Sequence, residues 1–237
     1  MRDFTRPVIA PQTFTDAAGN TIEFGNRWAQ FDNTPPEDSY SVESHLERFA
    51  PLHAVAEALI EHLTTNYEVT VEEDTAVLDD LVYSPDLSEV MRTVRLTPQP
   101  TASPLTFVFT RFPSVFVHAG AALDLRYPSC GCDACDETWQ SAAEDLEWQT
   151  LAIVAGGLTE HLEKVRHWRR GLQRGMGLVR DLKQPASYGL RAADGSQSMG
   201  GSSEAADLPQ HAQGKLQRLS TLLTDGRWQP WTPRAAE

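Results

Sequence analysis

Cysteine is scarce in this chain of 237 residues: there are three, all within the six residues from Cys130 to Cys135. A disulfide framework spread over the fold is thereby excluded, because these thiols have only one another as partners. No stretch reaches the ~18 consecutive apolar residues of a membrane span. The opening Met1-Arg-Asp-Phe-Thr-Arg-Pro7 has no apolar export core. A cytoplasmic protein with reduced thiols is expected. Positive charge is also short, with 20 Lys and Arg against 33 Asp and Glu, a net −13. Neither a nucleic acid, which needs a positive surface, nor a membrane is expected as partner. Gly-x-x-x-x-Gly-Lys-Ser/Thr, Gly-x-Gly-x-x-Gly and Gly-x-Ser-x-Gly are all missing. The first two absences leave a phosphate-cradling loop unsupported, and the third leaves a serine-hydrolase elbow unsupported.

What the chain does have is a hydrophobic share of 41%, enough for a sizeable core. Its patterns mix two periods. Thr13-Phe-Thr15 and Thr21-Ile-Glu-Phe24 alternate around the turn Asp16-Ala-Ala-Gly-Asn20, which predicts a small hairpin in an N-terminal arm anchored by Trp28 and Phe31. From about Val42 to Thr65, apolar residues at three- and four-residue spacing predict a helix. Ser41 is its candidate N-cap, and Pro51 divides it in two near Ala50. His45, His53 and His62 do not share one face of this region. Alternating runs from Tyr67, Val90, Leu105, Ser114 and Leu123 predict four or five strands, with an antiparallel hairpin around Pro113-Ser114.

A long helix is expected from about Asp136 to Leu172, with Trp139, Leu146, Ile153, Leu158, Leu162 and Trp168 on its apolar stripe. Asp133 and Asp136 would cap it, and Gly156-Gly157 would mark a kink or a close contact. From Gln184 to Asp207 the composition turns to Gly, Ser and Ala, and within it Asp194-Gly-Ser-Gln-Ser-Met-Gly-Gly-Ser-Ser203 predicts a loop or a flexible segment. A short helix from Lys215 to Leu223 follows, then Trp228 and Trp231 as anchors of the tail. The resulting fold class is α+β: an antiparallel sheet of four to five strands packed by a helix pair and one long helix, with a C-terminal wrapping tail. Residues 1–183 would form the main domain, and 184–237 would pack back on it.

The chemistry centres on Cys130-Gly-Cys132-Asp-Ala-Cys135. Thiolates at i and i+3 face one another across a turn, and a third at i−2 reaches the same point, which is the arrangement of thiolate zinc sites. The fourth ligand would come from elsewhere, and His118 is the candidate. A thiol–disulfide site on Cys132 and Cys135 is the second reading, although Asp133, Asp136 and Glu137 oppose a thiolate. Inert packing is the third. With an open fourth position, Asp133 would be the base of a catalytic zinc site.

Two weaker patterns stand apart. Eight basic residues lie between Lys164 and Arg191 against one acid, Asp181. They offer an anion site at Arg166, Arg169, Arg170 and Arg174, or a surface for an acidic partner, but a solvated or docked face is the plainer explanation. Glu160, Glu163 and His167 would share a helical face; lacking a matching second helix, they are expected to be a salt-bridged surface.

Three pieces carry a resemblance: Glu47-Arg-Phe-Ala-Pro-Leu-His-Ala-Val-Ala-Glu-Ala-Leu-Ile60, Cys130-Gly-Cys-Asp-Ala-Cys-Asp-Glu137, and the helix with Glu144, Glu147 and Trp148. In these the chain resembles a family of uncharacterised bacterial proteins known as a domain of unknown function. The resemblance implies one intact domain over most of the chain, and it brings no activity, substrate or catalytic residue. The expectation from the residues is a non-enzymatic protein with a structural zinc site at Cys130, Cys132, Cys135 and His118.

Overall fold

The computed structural model describes residues 3–163 and 184–235. The arm carries the expected hairpin, β1 (Phe14–Thr15) and β2 (Thr21–Ile22). Its turn is held by the Asp16 carboxylate, which accepts from the backbone N–H of Ala18 and Asn20. Ser41 lies in the left-handed region outside any helix rather than at an N-cap. A short 3-10 turn, Leu46–Phe49, precedes α1 (Pro51–Asn66). Proline stands at the first helical position, where its missing N–H costs nothing, so the break at Ala50 falls where expected. Leu52, Val55, Ala56, Leu59 and Leu63 are wholly buried along one face of α1.

The main sheet is a five-stranded antiparallel meander: β3 (Thr70–Glu72), β4 (Val90–Thr97), β5 (Leu105–Thr110), β6 (Val115–Ala119) and β7 (Leu123–Tyr127), in that spatial order. Central β5 is buried at all six residues because both of its faces are covered. Leu105, Phe107 and Phe109 join the large core beneath the helices, while Val108 turns to the other face against Leu78 and Leu81. This is the two-residue alternation of a strand placed between two layers.

α2 (Trp139–Val154) lies against α1 and β7 and is shorter than the periodicity predicts. Its N-cap is Thr138, whose Oγ1 accepts from Ser141 N–H, so neither Asp133 nor Asp136 caps it. It ends at Gly156-Gly157. Gly156 takes φ +78°, and the N–H groups of Gly156 and Gly157 donate back to Ile153 and Ala152, a left-handed C-terminal motif. A Cβ on Gly157 would sit 2.0 Å from the Arg191 carbonyl oxygen. Helix then gives way to strand at β8 (Leu158–Leu162). Leu158 and Leu162 share a face at four-residue spacing in a helix and in a strand alike, which is why the helical reading ran on too far.

Two further strands, β9 (Pro185–Arg191) and β10 (Ser198–Glu204), complete a second antiparallel sheet in the order β10-β9-β8. Of the expected loop, Asp194 to Gln197 is the turn of a hairpin, whereas Ser198 to Ser203 is paired strand. α3 (Gln210–Leu222) buries Ala212, Leu216 and Leu219. The tail returns as expected: Trp228 and Trp231 are buried, and Trp231 Nε1 donates to the Ser103 carbonyl at 2.8 Å.

Glu160 of β8, 3% exposed, joins the two sheets and the tail. Its carboxylate accepts from the backbone N–H of Ala121 and Ala122, in the β6–β7 turn, and from Trp228 Nε1 at 2.8 Å. The expected helical face of Glu160, Glu163 and His167 is thus replaced at Glu160 by a buried strand position. His167 lies outside the described residues.

Two glycine substitutions should move stability in opposite directions. Gly157→Ala should cost about 1–3 kcal/mol through the clash with Arg191. Gly214→Ala, inside α3 with nothing within 4 Å of the added methyl, should gain up to about 1 kcal/mol. Urea denaturation of both variants checks this, and a neutral Gly157→Ala would contradict the close approach.

Candidate metal centre

The cysteines occupy the link between β7 and α2, and this link is held from several sides. Glu137 folds back so that its carboxylate accepts from Ser129 N–H at 3.0 Å, Ser129 Oγ at 2.7 Å and Cys130 N–H at 3.0 Å. Arg48, 2% exposed, donates to the carbonyls of Ser44 and Gly131, the latter at 3.0 Å. Its guanidinium lies 4.2 Å from the Phe49 ring centroid and 4.4 Å from that of Phe24. A buried guanidinium needs such partners, because an unpaired charge in the interior is strongly destabilising. Gly131 is required by proximity, since a Cβ there would come within 2.9 Å of Phe112.

The residues between the cysteines hold the arm. Asp133 accepts from Ser44 N–H at 3.0 Å and from the Ser44 hydroxyl, and it pairs with Arg27 at 3.4 Å. Burial works against its ionisation, yet the Ser44 donors and Arg27 prevail and hold it below its ordinary value. Its backbone N–H donates to Val42 at 2.7 Å, and its carbonyl accepts from Trp28 Nε1 at 3.1 Å. Asp136 Oδ2 accepts from Arg27 N–H at 2.9 Å. Trp28 is therefore an anchor as expected, whereas Phe31 is 51% exposed.

The thiol ligand atoms of Cys130, Cys132 and Cys135 all lie within 4.8 Å of one another. Cys130 and Cys132 sulfurs are 3.2 Å apart, and Cys132 N–H points at Cys130 Sγ at 3.4 Å. Tetrahedral zinc with Zn–S near 2.3 Å sets its sulfurs about 3.8 Å apart, so the donor set fits such an ion. Burial raises the Cys132 thiol, but the neighbouring thiols and the N–H groups of Cys135 and Ala134 outweigh it and bring it below its ordinary value. Cys135 moves the other way, pushed up to about 12 chiefly by Cys132. One negative charge is thus favoured on the middle sulfur and a second is opposed.

His118 does not join this group. It sits in β6 with Nδ1 2.6 Å from Asp124 Oδ1, at the opposite end of the β6–β7 hairpin from Cys130. β7 runs on from Asp124 to Tyr127, about 10 Å of strand, before the link that carries Cys130 begins. Nor does Cys135 lie in the first turn of α2, which begins beyond Thr138. Arg166, Arg169, Arg170 and Arg174 fall outside the described residues. Arg48, Arg27, Ser44 and Glu137 were missed as holders of the loop. None of them stood out locally: Glu47 and Arg48 are two charges side by side between Leu46 and Phe49, and the pattern does not say which is buried.

A family model described as Family of unknown function (DUF6226) matches residues 10–235, and the chain belongs to that family. No curated protein and no solved structure matches the chain.

Alkylation of metal-free protein should begin at Cys132 and reach Cys135 last, although Cys135 is the most exposed of the three. Mass-spectrometric mapping against pH tests this, and an order following exposure would contradict it. Replacing Arg48 by Lys keeps the charge but not the planar fork. That variant should lose about 2–3 kcal/mol and expose residues 27–44 to protease; unchanged denaturation would remove Arg48 from this role.

Proposed function

We propose that Cys130, Cys132 and Cys135 bind one zinc ion in a structural, non-enzymatic centre that locks the N-terminal arm onto the start of α2. Convergence of the three sulfurs on a loop already closed by Glu137 and Arg48 carries this reading. Thiolates are soft ligands suited to zinc, and bound zinc would supply cross-linking strength to a short link. The arm otherwise meets α2 through the ion pair of Arg6 with Glu147, and meets the link before α2 through polar contacts around Asp133. The same contacts argue against a catalytic site with Asp133 as base, because its oxygens are engaged by Ser44 and Arg27. The fourth position is left to water or to a donor other than His118. A reduced thiolate centre suits a cytoplasmic protein. Among the described residues, no helix is long and apolar enough to cross a membrane.

One observation favours a thiol–disulfide reading as the second. The lowered Cys132 thiol lies 3.2 Å from Cys130, so Cys130 rather than Cys135 would be the partner nearest to hand. A Cys130→Ser variant that keeps full metal content but loses exchange with a small disulfide would favour it.

Metal content separates the two. Protein expressed with ample zinc should retain about one ion per chain, with thiols protected until chelation. Cys132→Ser should lose the ion and free the arm to protease. An absence of bound metal together with three freely titrating thiols would sink the zinc centre.

A further inference from the structure

A second site lies away from the cysteines, under the β9–β10 hairpin. The cavity there encloses about 270 Å³ between the end of the β6–β7 hairpin, the second sheet and α3. Its wall is set by register. Glu160 pairs with Tyr188 and Tyr188 with Gly201, so these three share the inner face of the second sheet. Ser203, two residues beyond Gly201, points the same way. Gly201 is needed because a Cβ there would come within 2.8 Å of the Tyr188 ring. Leu208 and Leu216 line the cavity with apolar surface.

Facing them is a buried polar pair. Asp124 Oδ1 lies 2.6 Å from His118 Nδ1, and Asp124 Oδ2 accepts from Tyr83 N–H at 2.8 Å. His118 is 1% exposed, and its Nε2 has no partner. The tautomer that donates Nδ1–H to Asp124 leaves Nε2 as an acceptor. A carboxylate offers about four lone-pair positions, and two of those on Asp124 are in use. His118 lies behind the cavity wall, so it is Asp124 that lines the cavity and presents its remaining acceptor positions there. Among the described residues, the lining holds two carboxylates, Asp124 and Glu160, and no basic side chain.

We propose that this cavity binds a small organic amine, its ammonium group donating to Asp124 and its apolar body lying against Leu208, Leu216 and the Tyr188 ring. An ammonium group is a donor without acceptor capacity, which matches the unmet acceptors. The aromatic face adds attraction for a cation. An anionic ligand would meet like charge without a counter-ion, which selects against it. The volume falls below that of drug-sized pockets and sets the ligand at one ring or a short chain.

Three probes of one shape test the proposal on the full chain: benzylamine, benzyl alcohol and benzoate, followed by ligand-observed NMR and titration calorimetry. Benzylamine should bind at least about tenfold more tightly than benzyl alcohol, and benzoate should not bind. Ser203→Phe fills the cavity from β10 with both carboxylates intact and should abolish binding. Asp124→Asn should weaken benzylamine by about tenfold or more and leave benzyl alcohol unchanged. The proposal is overturned if wild-type protein binds no benzylamine at about 10 mM, well above ordinary ligand affinities. It is equally overturned if the amine has no advantage over the alcohol, or if folded Ser203→Phe protein binds as wild type does. The wild-type comparison needs no variant, so a variant that fails to fold leaves the test standing.

Discussion

A single buried carboxylate ties together three parts of this molecule that lie far apart in sequence. Glu160 belongs to the second sheet, its backbone partners belong to the turn of the first, and Trp228 belongs to the tail. Removing a carboxyl group from water is costly, and burial raises the Glu160 pKa despite four bonded contacts from N–H donors. The fold accepts that cost because the N–H groups of the β6–β7 turn have no strand to pair with and would otherwise be buried without partners. Gly120 completes the arrangement: it takes φ +63°, and a Cβ there would fall 2.1 Å from a Glu160 oxygen. The turn and the acid are shaped for one another, and the layering of the two sheets depends on their meeting.

The N-terminal arm follows a related logic with the charges reversed. It has little regular structure of its own, and its hairpin is too short to stand alone. Arg48, Arg27 and Ser44 give it polar attachments to the link between β7 and α2. The cysteines sit in that same link, so a metal there would act on the arm through the backbone of Asp133 and Ala134, which bonds to Val42 and Ser39. The candidate centre and the arm are thus one mechanical unit. The cavity under β9 and β10 is another, built on Glu160 and independent of the thiols.

Much of this was legible in the sequence, though unevenly. Strands of the main sheet could be read from alternation, which follows burial at the edge strand β7, while β3 is exposed at all three of its residues. The break before Pro51, the packing of Trp228 and Trp231, and the meeting of three cysteines followed from local stereochemistry. What escaped has a common cause. Leu158 and Leu162 are four apart, a spacing that suits helix and strand equally, and only the backbone of Arg191 and Pro230 pressing on Gly156-Gly157 decides between them. His118 ends the strand pattern that precedes the cysteines, but it sits beside the hairpin turn while Cys130 follows the open end. Asp133 and Asp136 had the spacing of a helix cap and were taken instead by Arg27 and Ser44, more than eighty residues away. Partners at that distance leave no periodic trace.

Among the described residues, the second sheet ends on one side at β10, whose residues are Ser198-Met-Gly-Gly-Ser-Ser-Glu204. On the other side, the tail lies along β8, with Trp228 N–H bonded to the Leu158 carbonyl and a bridge between Thr159 and Arg227. An open strand edge is a template on which a second chain can add itself. Here one edge is occupied by the protein's own C-terminal segment. The other carries two glycines at its centre, Gly200 and Gly201, and glycine has little tendency to extend a sheet. Gly201, which admits the Tyr188 ring, therefore also leaves an edge with less to offer an incoming strand, and the same residue that hollows the cavity helps to keep neighbouring molecules from joining edge to edge.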